Sequence, residues 1–344
     1  MRQLTLTGTQ QLEWWDVPAP RLENDKQALV RPDCVARCDL DVYMYLGVYT
    51  RKPPYAFGHE MVGTVIDVGS AVKTVQPGQR VVVPFQISCG DCRACVRGWS
   101  NACTSVAPMA GYGLGTHPDR DWGGALSDLV RVPFADAMLM TLPEGVSAEA
   151  ACGAGDNIAD GFRTVAPLLA RFPKESVLVV GGLAQSVGLY AVLAAVALGS
   201  SRVVYVDSDP ARLLQAAALG AEVHNIDFTR QEADADRYLI TVDAAATPEG
   251  LAFALRSTAA CGFCTSVSGG LGSNASLPLG SMYLKGVTHE VSRVHSRDVM
   301  PTVLEHICCG KLDPLAISAH ILNFEAAPTA MGNGDIKLIF KREA

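Results

Sequence analysis

Hydrophobic and polar positions follow two different patterns, one before and one after about residue 150. In the first part, short β-like runs such as 61–68 and 80–85 are broken by Pro and Gly. In the second part, fully apolar runs alternate with Ala- and Leu-rich stretches of helical character. The first pattern predicts a β-rich domain, and the second predicts strand-helix-strand units on a parallel sheet.

The second part opens with a βαβα unit. The apolar run Ser176–Val180 predicts a buried strand, a Gly-Gly turn follows it, and a helix is predicted over Val187–Leu198, before Gly199. The later predicted elements are a strand at 203–206, a helix from 210 to 220, a strand at 238–242, a helix at 248–260 and a strand at 263–267. This alternation predicts an α/β fold with a doubly wound parallel sheet.

Composition narrows the class of protein. With 344 residues, 49% hydrophobic and 18% charged, the chain is long enough for about two domains with buried cores. The net charge of −7 argues against a nucleic acid or an anionic membrane as partner. The longest apolar run, Leu189–Leu198, has ten residues, short of the ~20 that a spanning helix needs. Because the N-terminus also lacks the apolar run of a signal peptide, we expect a soluble, cytoplasmic protein that acts on a small molecule.

Four of the eleven cysteines lie between residues 89 and 103. Cys89, Cys92, Cys95 and Cys103 have the spacing C-x2-C-x2-C-x7-C, in which four thiolates can surround one tetrahedral ion. An iron-sulfur cluster is the alternative, but the bacterial ferredoxin pattern has three residues before a fourth Cys that is followed by Pro. Here seven residues precede the fourth Cys and Thr104 follows it. Because protein would fill all four positions, we expect a structural zinc.

A second group of metal-ligating residue types includes Gly58-His59-Glu60 and, 21 residues before the His, Cys38. The segment GHEMVGTVIDVGSAV matches the signature G-H-E-x2-G-x5-G-x2-V of zinc-containing alcohol dehydrogenases, and the four-cysteine loop follows where that family carries its structural zinc. The chain resembles the zinc-dependent medium-chain dehydrogenase/reductase family over essentially its full length. The resemblance implies a GroES-like catalytic domain over residues 1–153 and 291–344, and a Rossmann domain over residues 154–290.

The same resemblance implies the ligands of a catalytic zinc. Cys38 and His59 match the first two ligands of the family, and Asp41 matches the carboxylate that orients the His ligand. Such a zinc keeps a position open for a substrate oxygen, and one thiolate with one carboxylate neutralises the two charges of the ion. Glu60 resembles the family glutamate that sits behind the zinc and can coordinate it transiently.

The third zinc ligand of the family stands five residues before a glycine. In this chain the position is Asp156, with Gly161 at the required distance. Aspartate at this position resembles the bacterial formaldehyde dehydrogenase and dismutase branch. Cys152, four residues earlier, is the rival for this position, and the register favours Asp156 because a ligand must be placed accurately to bind.

A dinucleotide site is predicted in the first βαβ unit. The stretch from Gly181 and Gly182 to Val187 and Gly188 departs from G-x-G-x-x-G, since Gln185 stands where a glycine is usual. Gly182 can provide the tight turn and Gly188 the close contact between helix and strand, while the helix N-terminus faces the phosphates.

An acid at the end of the second strand indicates which cofactor binds. Asp207 stands 19 residues after Gly188, where its carboxylate would accept from the adenosine ribose hydroxyls and repel a 2′-phosphate. NAD is therefore expected in preference to NADP. Arg212 matches a basic family position near the same ribose and can also pair with a phosphate.

Two positions depart from the proton relay of family alcohol dehydrogenases. Leu40 stands where the family has Ser or Thr, and Tyr43 stands where it often has His. Leu40 cannot carry a proton, and Tyr43, with an ordinary pKa of ~10, is a poor shuttle at neutral pH. The sequence leaves three alternatives: alcohol oxidation with two zinc ions per chain, relay-independent aldehyde dehydrogenation or dismutation, and a zinc- and NAD-binding protein without turnover. The family implies a homodimer or homotetramer.

Overall fold

The computed structural model describes residues 1–49, 51–115, 122–228, 237–268, 274–317 and 320–343. The chain divides into two compact units. Unit 1 consists of Met1–Ala159, His295–Gly310 and Ser318–Ala344, and unit 2 consists of Asp160–Val294 and Lys311–Ile317.

The described residues form sixteen strands and ten α-helices. The strands are β1 (Arg2–Gly8), β2 (Gln11–Asp16), β3 (Ala28–Ala36), β4 (Tyr55–Ala56), β5 (Glu60–Val68), β6 (Arg80–Val83), β7 (Val130–Val132), β8 (Met140–Thr141), β9 (Val177–Val180), β10 (Val203–Asp207), β11 (Glu222–Asn225), β12 (Tyr238–Asp243), β13 (Thr258–Ser266), β14 (Thr288–Val291), β15 (His320–Asn323) and β16 (Leu338–Lys341).

The α-helices are α1 (Asp39–Tyr45), α2 (Ala135–Met138), α3 (Ala148–Ala151), α4 (Asn157–Arg171), α5 (Gln185–Ala197), α6 (Pro210–Ala218), α7 (Pro248–Ser257), α8 (Leu279–Lys285), α9 (Ser296–Cys308) and α10 (Ala327–Ala330). Within the described parts of the chain, none of these helices is long and apolar enough to cross a membrane.

Unit 1 is built on two sheets. The larger has the strand order β15-β16-β3-β5-β6-β8, with β7 also paired to β3, and the smaller has the order β2-β1-β4. Except for the parallel pair β15 and β16, the pairings in both sheets are antiparallel. The central strand β3 is buried along most of its length, since it has neighbours on both sides. The predicted β-rich first part of the chain is confirmed.

Unit 2 contains one parallel sheet of six strands in the order β11-β10-β9-β12-β13-β14. The order reverses between β9 and β12, which is the switch point of a doubly wound sheet. Strand β9 is completely apolar (VLVV) and fully buried, as a central parallel strand requires. The doubly wound parallel sheet predicted from the sequence is therefore confirmed.

One pair of elements in unit 2 differs from the sequence-based expectation. Helix α7 ends at Ser257, and β13 begins at Thr258, five residues before the predicted start at Phe263. Thr258 pairs with Tyr238 of β12, and its hydroxyl donates to Ala254 O at 2.8 Å. The helix and the strand therefore meet at this threonine. Local composition hides the boundary because the segment Thr258-Ala-Ala-Cys261 suits a helix as well as a strand.

Candidate metal and cofactor sites

The four cysteines of the predicted structural zinc site come together in unit 1. Their sulfur atoms all lie within 4.8 Å of one another, and Cys92 Sγ is 3.9 Å from Cys103 Sγ. Backbone N–H groups point at the sulfurs: Cys92 N donates to Cys89 Sγ and Cys89 N to Cys103 Sγ, both at 3.4 Å. Such donors, those of Cys95 and Thr104 first, lower the pKa of Cys92 to about 5. Four converging sulfurs, one already favouring the thiolate, fit a tetrahedral zinc.

The loop around these cysteines requires a glycine where its backbone passes close to α9. Gly98 ends the 3₁₀ helix Cys95–Arg97 with a positive φ of 77°. A Cβ atom at this position would lie 2.5 Å from Asp298 Oδ1 of α9. Any other residue would therefore strain the backbone and displace the Asp298 side chain.

Three of the predicted catalytic ligands form a second cluster, also in unit 1. The ligand atoms of Cys38, His59 and Asp156 all lie within 4.8 Å of one another, and His59 Nε2 is 3.3 Å from Asp156 Oδ2. All three residues are buried. Cys152 does not belong to this cluster, since its thiol donates to Glu149 O at 3.3 Å.

Strand register brings these residues together. Ala36, near the end of β3, pairs with Glu60 of β5, so that Cys38 and His59 leave neighbouring strands side by side. Asp156 follows the 3₁₀ helix Cys152–Gly155, which contacts β3, β5 and β6. A Cβ atom at Gly155 would lie 2.6 Å from Val83 O, so only glycine allows this approach. The cluster thus comes from three segments that the sequence separates by up to 118 positions.

The charges of this cluster fit a divalent cation. Burial, and after it the nearby carboxylates of Asp156 and Glu60, raise the pKa of the Cys38 thiol well above its ordinary value. Burial opposes a charge on His59, but the carboxylates of Asp41 and Asp156 outweigh it and raise the pKa of His59 to about 9. Buried acidic groups in this number need a positive charge among them. A zinc ion bound by one thiolate, one carboxylate and one imidazole supplies it.

Asp41 occupies the position predicted for it beside the imidazole. Its Oδ1 lies 3.4 Å from His59 Nδ1, and neither of these two buried atoms has a hydrogen-bond partner among the described residues. Its Oδ2 accepts from Cys38 N at 2.9 Å and closes the capping box that starts α1. The Asp41 carboxylate therefore fixes the backbone of Cys38. It also leaves the Nε2 atom of His59 directed at the cluster.

Glu60, next to His59 in the sequence, is hydrogen-bonded to a buried lysine. Glu60 Oε2 accepts from Lys337 Nζ at 2.6 Å, and Glu60 Oε1 accepts from Asn157 N at 3.0 Å. Burial raises the pKa of Glu60 to about 8, although the ammonium group of Lys337 acts in the opposite direction. Lys337 and Asn157 were not found from the sequence. Asn157 adjoins Asp156 in the sequence, but no spacing connects Lys337 to the zinc motif, because β16, which pairs with β3, brings Lys337 from the far end of the chain.

The residues that replace the usual relay lie on α1. Leu40 and Tyr43 are both partly buried, and Leu40 N donates to Cys38 Sγ at 3.4 Å. The ring of Phe85 lies 5.6 Å from the ring of His59. The backbone of Leu40 and the ring of Phe85 therefore lie beside the cluster, and neither of these two side chains can carry a proton.

The predicted dinucleotide turn lies between β9 and α5 of unit 2. A Cβ atom at Gly181 would overlap the Tyr205 hydroxyl, and one at Gly182 would lie 2.7 Å from Ala245 Cα. At Gly188 it would lie 3.1 Å from the Cβ atom of Ala244. Val187 is buried. The close approaches keep the turn small at the N-terminus of α5, which fits a pyrophosphate.

Asp207 and Arg212 lie where the adenosine ribose is expected, at the carboxyl end of β10. The carboxylate of Asp207 also accepts from the Tyr205 hydroxyl at 2.8 Å and from Asp209 N at 3.0 Å. Burial works against the charged form of Asp207, but Arg212, with the N–H of Asp209 and the hydroxyl of Tyr205, outweighs burial and keeps the pKa of this carboxyl below its ordinary value. An ionised acid next to a guanidinium group fits a ribose, and its charge disfavours an added phosphate.

The fold and these two clusters define a zinc-dependent oxidoreductase of the alcohol dehydrogenase type. The pattern of the alcohol dehydrogenase GroES-like domain matches residues 24–144. A medium-chain reductase/dehydrogenase of Acremonium sp is 33% identical over 226 residues, which are 64% of this chain and 74% of the relative. The alcohol dehydrogenase TADH from Thermus sp. ATN1, a solved structure, is 30% identical with 100% of both chains covered and a TM-score of 0.86.

A glutathione-independent formaldehyde dehydrogenase of Pseudomonas aeruginosa is also similar, with 29% identity over 237 residues. The match takes in 65% of this chain and only 58% of that relative. The chain belongs to the zinc-dependent medium-chain dehydrogenase/reductase family, which confirms the resemblance found in the sequence.

Proposed function

We propose that this chain transfers a hydride between an alcohol or carbonyl substrate and a nicotinamide cofactor, with NAD preferred to NADP. The observation that supports it most directly is the cluster of Cys38, His59 and Asp156. It offers three protein ligand atoms within 4.8 Å, one fewer than four-coordinate zinc takes. The proposal includes a second zinc on the four cysteines, and the domain assignment of residues 1–153 and 291–344 to catalysis and 154–290 to the cofactor.

Each site residue has a distinct task in this proposal. When bound, zinc polarises the substrate oxygen as a Lewis acid and the nicotinamide exchanges the hydride. Cys38 and Asp156 supply two negative charges, and Asp41 keeps the His59 ring in place. In the cofactor domain, Asp207 and Arg212 bind the adenosine ribose.

Proton release is the step for which the chain lacks the family's side chains. Leu40 forms no hydrogen bond through its side chain, and a phenol such as that of Tyr43 has an unperturbed pKa of ~10, too high for a good shuttle at neutral pH. We propose that water beside Leu40 takes the proton of the alcohol, since a substrate must reach the same place. This route predicts slow alcohol oxidation near neutral pH.

A screen of alcohols and aldehydes tests the proposal. Absorbance at 340 nm is followed with NAD and with NADP, and the zinc content of the same preparation is measured. Activity that disappears in Asp156→Ala, with the four-cysteine zinc retained, supports the assignment. A zinc-loaded protein that oxidises no alcohol and reduces no carbonyl would favour the third alternative, a zinc- and NAD-binding protein without turnover.

A second candidate function is dehydrogenation of hydrated aldehydes or their dismutation. It is favoured by Leu40 in place of a relay hydroxyl, by Asp156 as the third ligand, and by the similarity to a formaldehyde dehydrogenase. Incubation with formaldehyde and substoichiometric NAD distinguishes aldehyde dehydrogenation from dismutation. Equal amounts of methanol and formate, measured by NMR, would indicate dismutation, whereas formate alone, limited by the NAD added, would indicate dehydrogenation.

We also propose that the chain assembles as a homodimer or homotetramer. Strand β14 is the last strand of the sheet of unit 2, as far as the described residues show. On the preceding helix α8, Leu279, Tyr283 and Leu284 are exposed at 65%, 86% and 85%. A strand edge next to exposed apolar side chains is a surface that a second copy can cover.

A further inference from the structure

Asn157 connects the proposed catalytic ligands to a buried ammonium group. It is the first residue of α4, directly after Asp156, and is 3% exposed. Its amide nitrogen donates to Cys38 Sγ at 3.2 Å and to Asp156 Oδ2 at 3.1 Å. Its amide oxygen accepts from Lys337 Nζ at 2.7 Å. A single side chain therefore contacts two of the three cluster residues and a lysine that is itself 1% exposed.

The chemistry of the neighbours determines which way this amide points. An ammonium group only donates hydrogen bonds, so the side of the amide that faces Lys337 must be its oxygen. The opposite side then presents the NH₂ group, and a thiolate and a carboxylate are both acceptors. Asn157 is thus oriented without the ambiguity that amide side chains usually carry.

Glu60, the first residue of β5, holds Lys337 in place. The ammonium group of the lysine also donates to Glu60 Oε2 at 2.6 Å, and the backbone of Asn157 donates to the other oxygen of Glu60. A closed ring of hydrogen bonds results, which joins Lys337, Glu60 and Asn157, and the amide of Asn157 extends it to Cys38 and Asp156. Loss of the amide would leave the two ligands without these donors.

We propose that Asn157 is a positioning residue for the catalytic metal. Its amide nitrogen fixes the distance between the sulfur of Cys38 and the carboxylate oxygen of Asp156. Its N–H group also withdraws electron density from the thiolate. Outer partners of this kind typically contribute about 10- to 100-fold to metal affinity. The inference rests on the proposed function, because it requires a metal at Cys38, His59 and Asp156.

The test compares Asn157→Leu, which has a similar volume but no donor, with Thr164→Val as the matched control. Thr164 lies in the same helix, is fully buried, and its hydroxyl donates to Gly161 O one turn earlier, at 2.6 Å. Zinc affinity is measured by chelator competition. Cobalt is then exchanged into the three-ligand site, and the thiolate-to-cobalt band is recorded against Asp156→Ala treated in the same way.

Asn157→Leu is expected to lower zinc affinity at this site by about 10- to 100-fold, and to move the thiolate-to-cobalt band to lower energy. The four-cysteine site should keep its metal, and Thr164→Val should change neither quantity. Asn157→Ser, which keeps one donor, should be intermediate and provides the same comparison if the leucine variant does not fold.

Two results would overturn the inference. Wild-type affinity and an unshifted band in both Asn157 variants, with only a lower Tm, would make the residue merely structural. A wild-type chain that binds metal at the four cysteines alone would overturn the inference together with the proposed function. The two failures are distinguishable because only the second removes the metal from the wild type.

Discussion

Arg212 binds Asp207 at two points, with Nε donating to Oδ2 at 2.7 Å and Nη2 to Oδ1 at 2.8 Å. Asp207 is 1% exposed, so Arg212 binds a buried carboxylate rather than one on the surface. Because the acid remains ionised, it can accept from ribose hydroxyls and repel a phosphate. Because the guanidinium group is adjacent, part of that repulsion is cancelled.

Asp207→Ser is therefore expected to lower the ratio of kcat/KM for NAD to that for NADP by about 10- to 100-fold. The physical reason is the loss of the negative charge while Arg212 stays available to a 2′-phosphate. Glu222→Ser serves as the control, since Glu222 forms an exposed pair with Arg202 in the same sheet. Equal use of both cofactors by the wild type would show that Asp207 does not select the cofactor.

The two metal clusters should respond differently to substitution. Cys92→Ser is expected to lower Tm and solubility, because a structural zinc contributes directly to folding free energy. Asp156→Ala should remove activity with a much smaller change in Tm. Zinc content and thermal unfolding check both, with Cys308→Ser as the control for an exposed cysteine outside the clusters. One zinc or none per wild-type chain, in protein never exposed to a chelator, would contradict the proposal.

Restoring the family relay tests the route of the proton. Leu40→Ser combined with Tyr43→His is expected to raise alcohol oxidation near pH 7 by about 10-fold or more, since general acid-base assistance is typically worth ~10²-fold or more. The gain should shrink at high pH, where the alcohol loses its proton more easily. Stopped-flow rates across a pH series measure it, with Leu46→Ser at the end of the same helix as the control. If the double variant slows aldehyde turnover and leaves alcohol rates unchanged, aldehydes are the substrates.

Asp243 should make stability depend on pH. Burial raises its pKa to about 6, although Ser266 and the backbone of Ala245 and Ala246 stabilise the carboxylate. The folded state then binds the proton more tightly than the unfolded state, so stability falls as pH rises from about 4 to 6 and stays lower above that. The loss is at most about 3 kcal/mol.

Urea unfolding at pH 4, 5, 6 and 7 checks this dependence. The free energy of unfolding of wild type minus that of Asp243→Asn should decrease through this window, since the amide does not titrate. Asp313→Asn, at an exposed acid, provides the control. A difference that is constant across the series would show that Asp243 does not titrate there.

The exposed side of α8 should decide the oligomeric state. Leu284→Glu is expected to shift the mass measured by light scattering toward the monomer, because a charge buried against a second copy is costly. Leu214→Glu, at a residue 73% exposed on α6, should leave the mass unchanged. A monomeric wild type at micromolar concentration would rule out the assembly, and an equal shift in both variants would place the interface elsewhere.

Local sequence was sufficient for several features. Strands β9, β10 and β12 of unit 2 were located within one residue at each end, because mostly apolar runs identify buried parallel strands. Strands β11 and β14 were not predicted, since both are largely exposed and polar. The four-cysteine cluster was found because its ligands lie within one loop, where spacing alone limits how far apart the sulfurs can be. The family followed from a fifteen-residue motif around His59. The roles of the site residues and the domain bounds stay predictions.

Other features depended on how the strands pair. The sequence left Asp156 and Cys152 as rivals, and only the path of the chain after α3 turns the Asp156 carboxylate toward His59 while Cys152 bonds to Glu149. The end of β13 was predicted correctly to within a residue, but its start was not, since pairing with β12 extends a strand through residues of helical composition.

The sequence by itself determined the fold class, the four-cysteine loop and the zinc motif, because each depends on contacts between residues close in the chain. Tertiary structure alone decided the partners of Asn157. Lys337 lies 180 positions away and reaches it because β16 pairs with β3, with Ile339 opposite Ala36 and so beside Cys38. A contact at that separation depends on which strands are neighbours and in what register, and no local spacing encodes strand order.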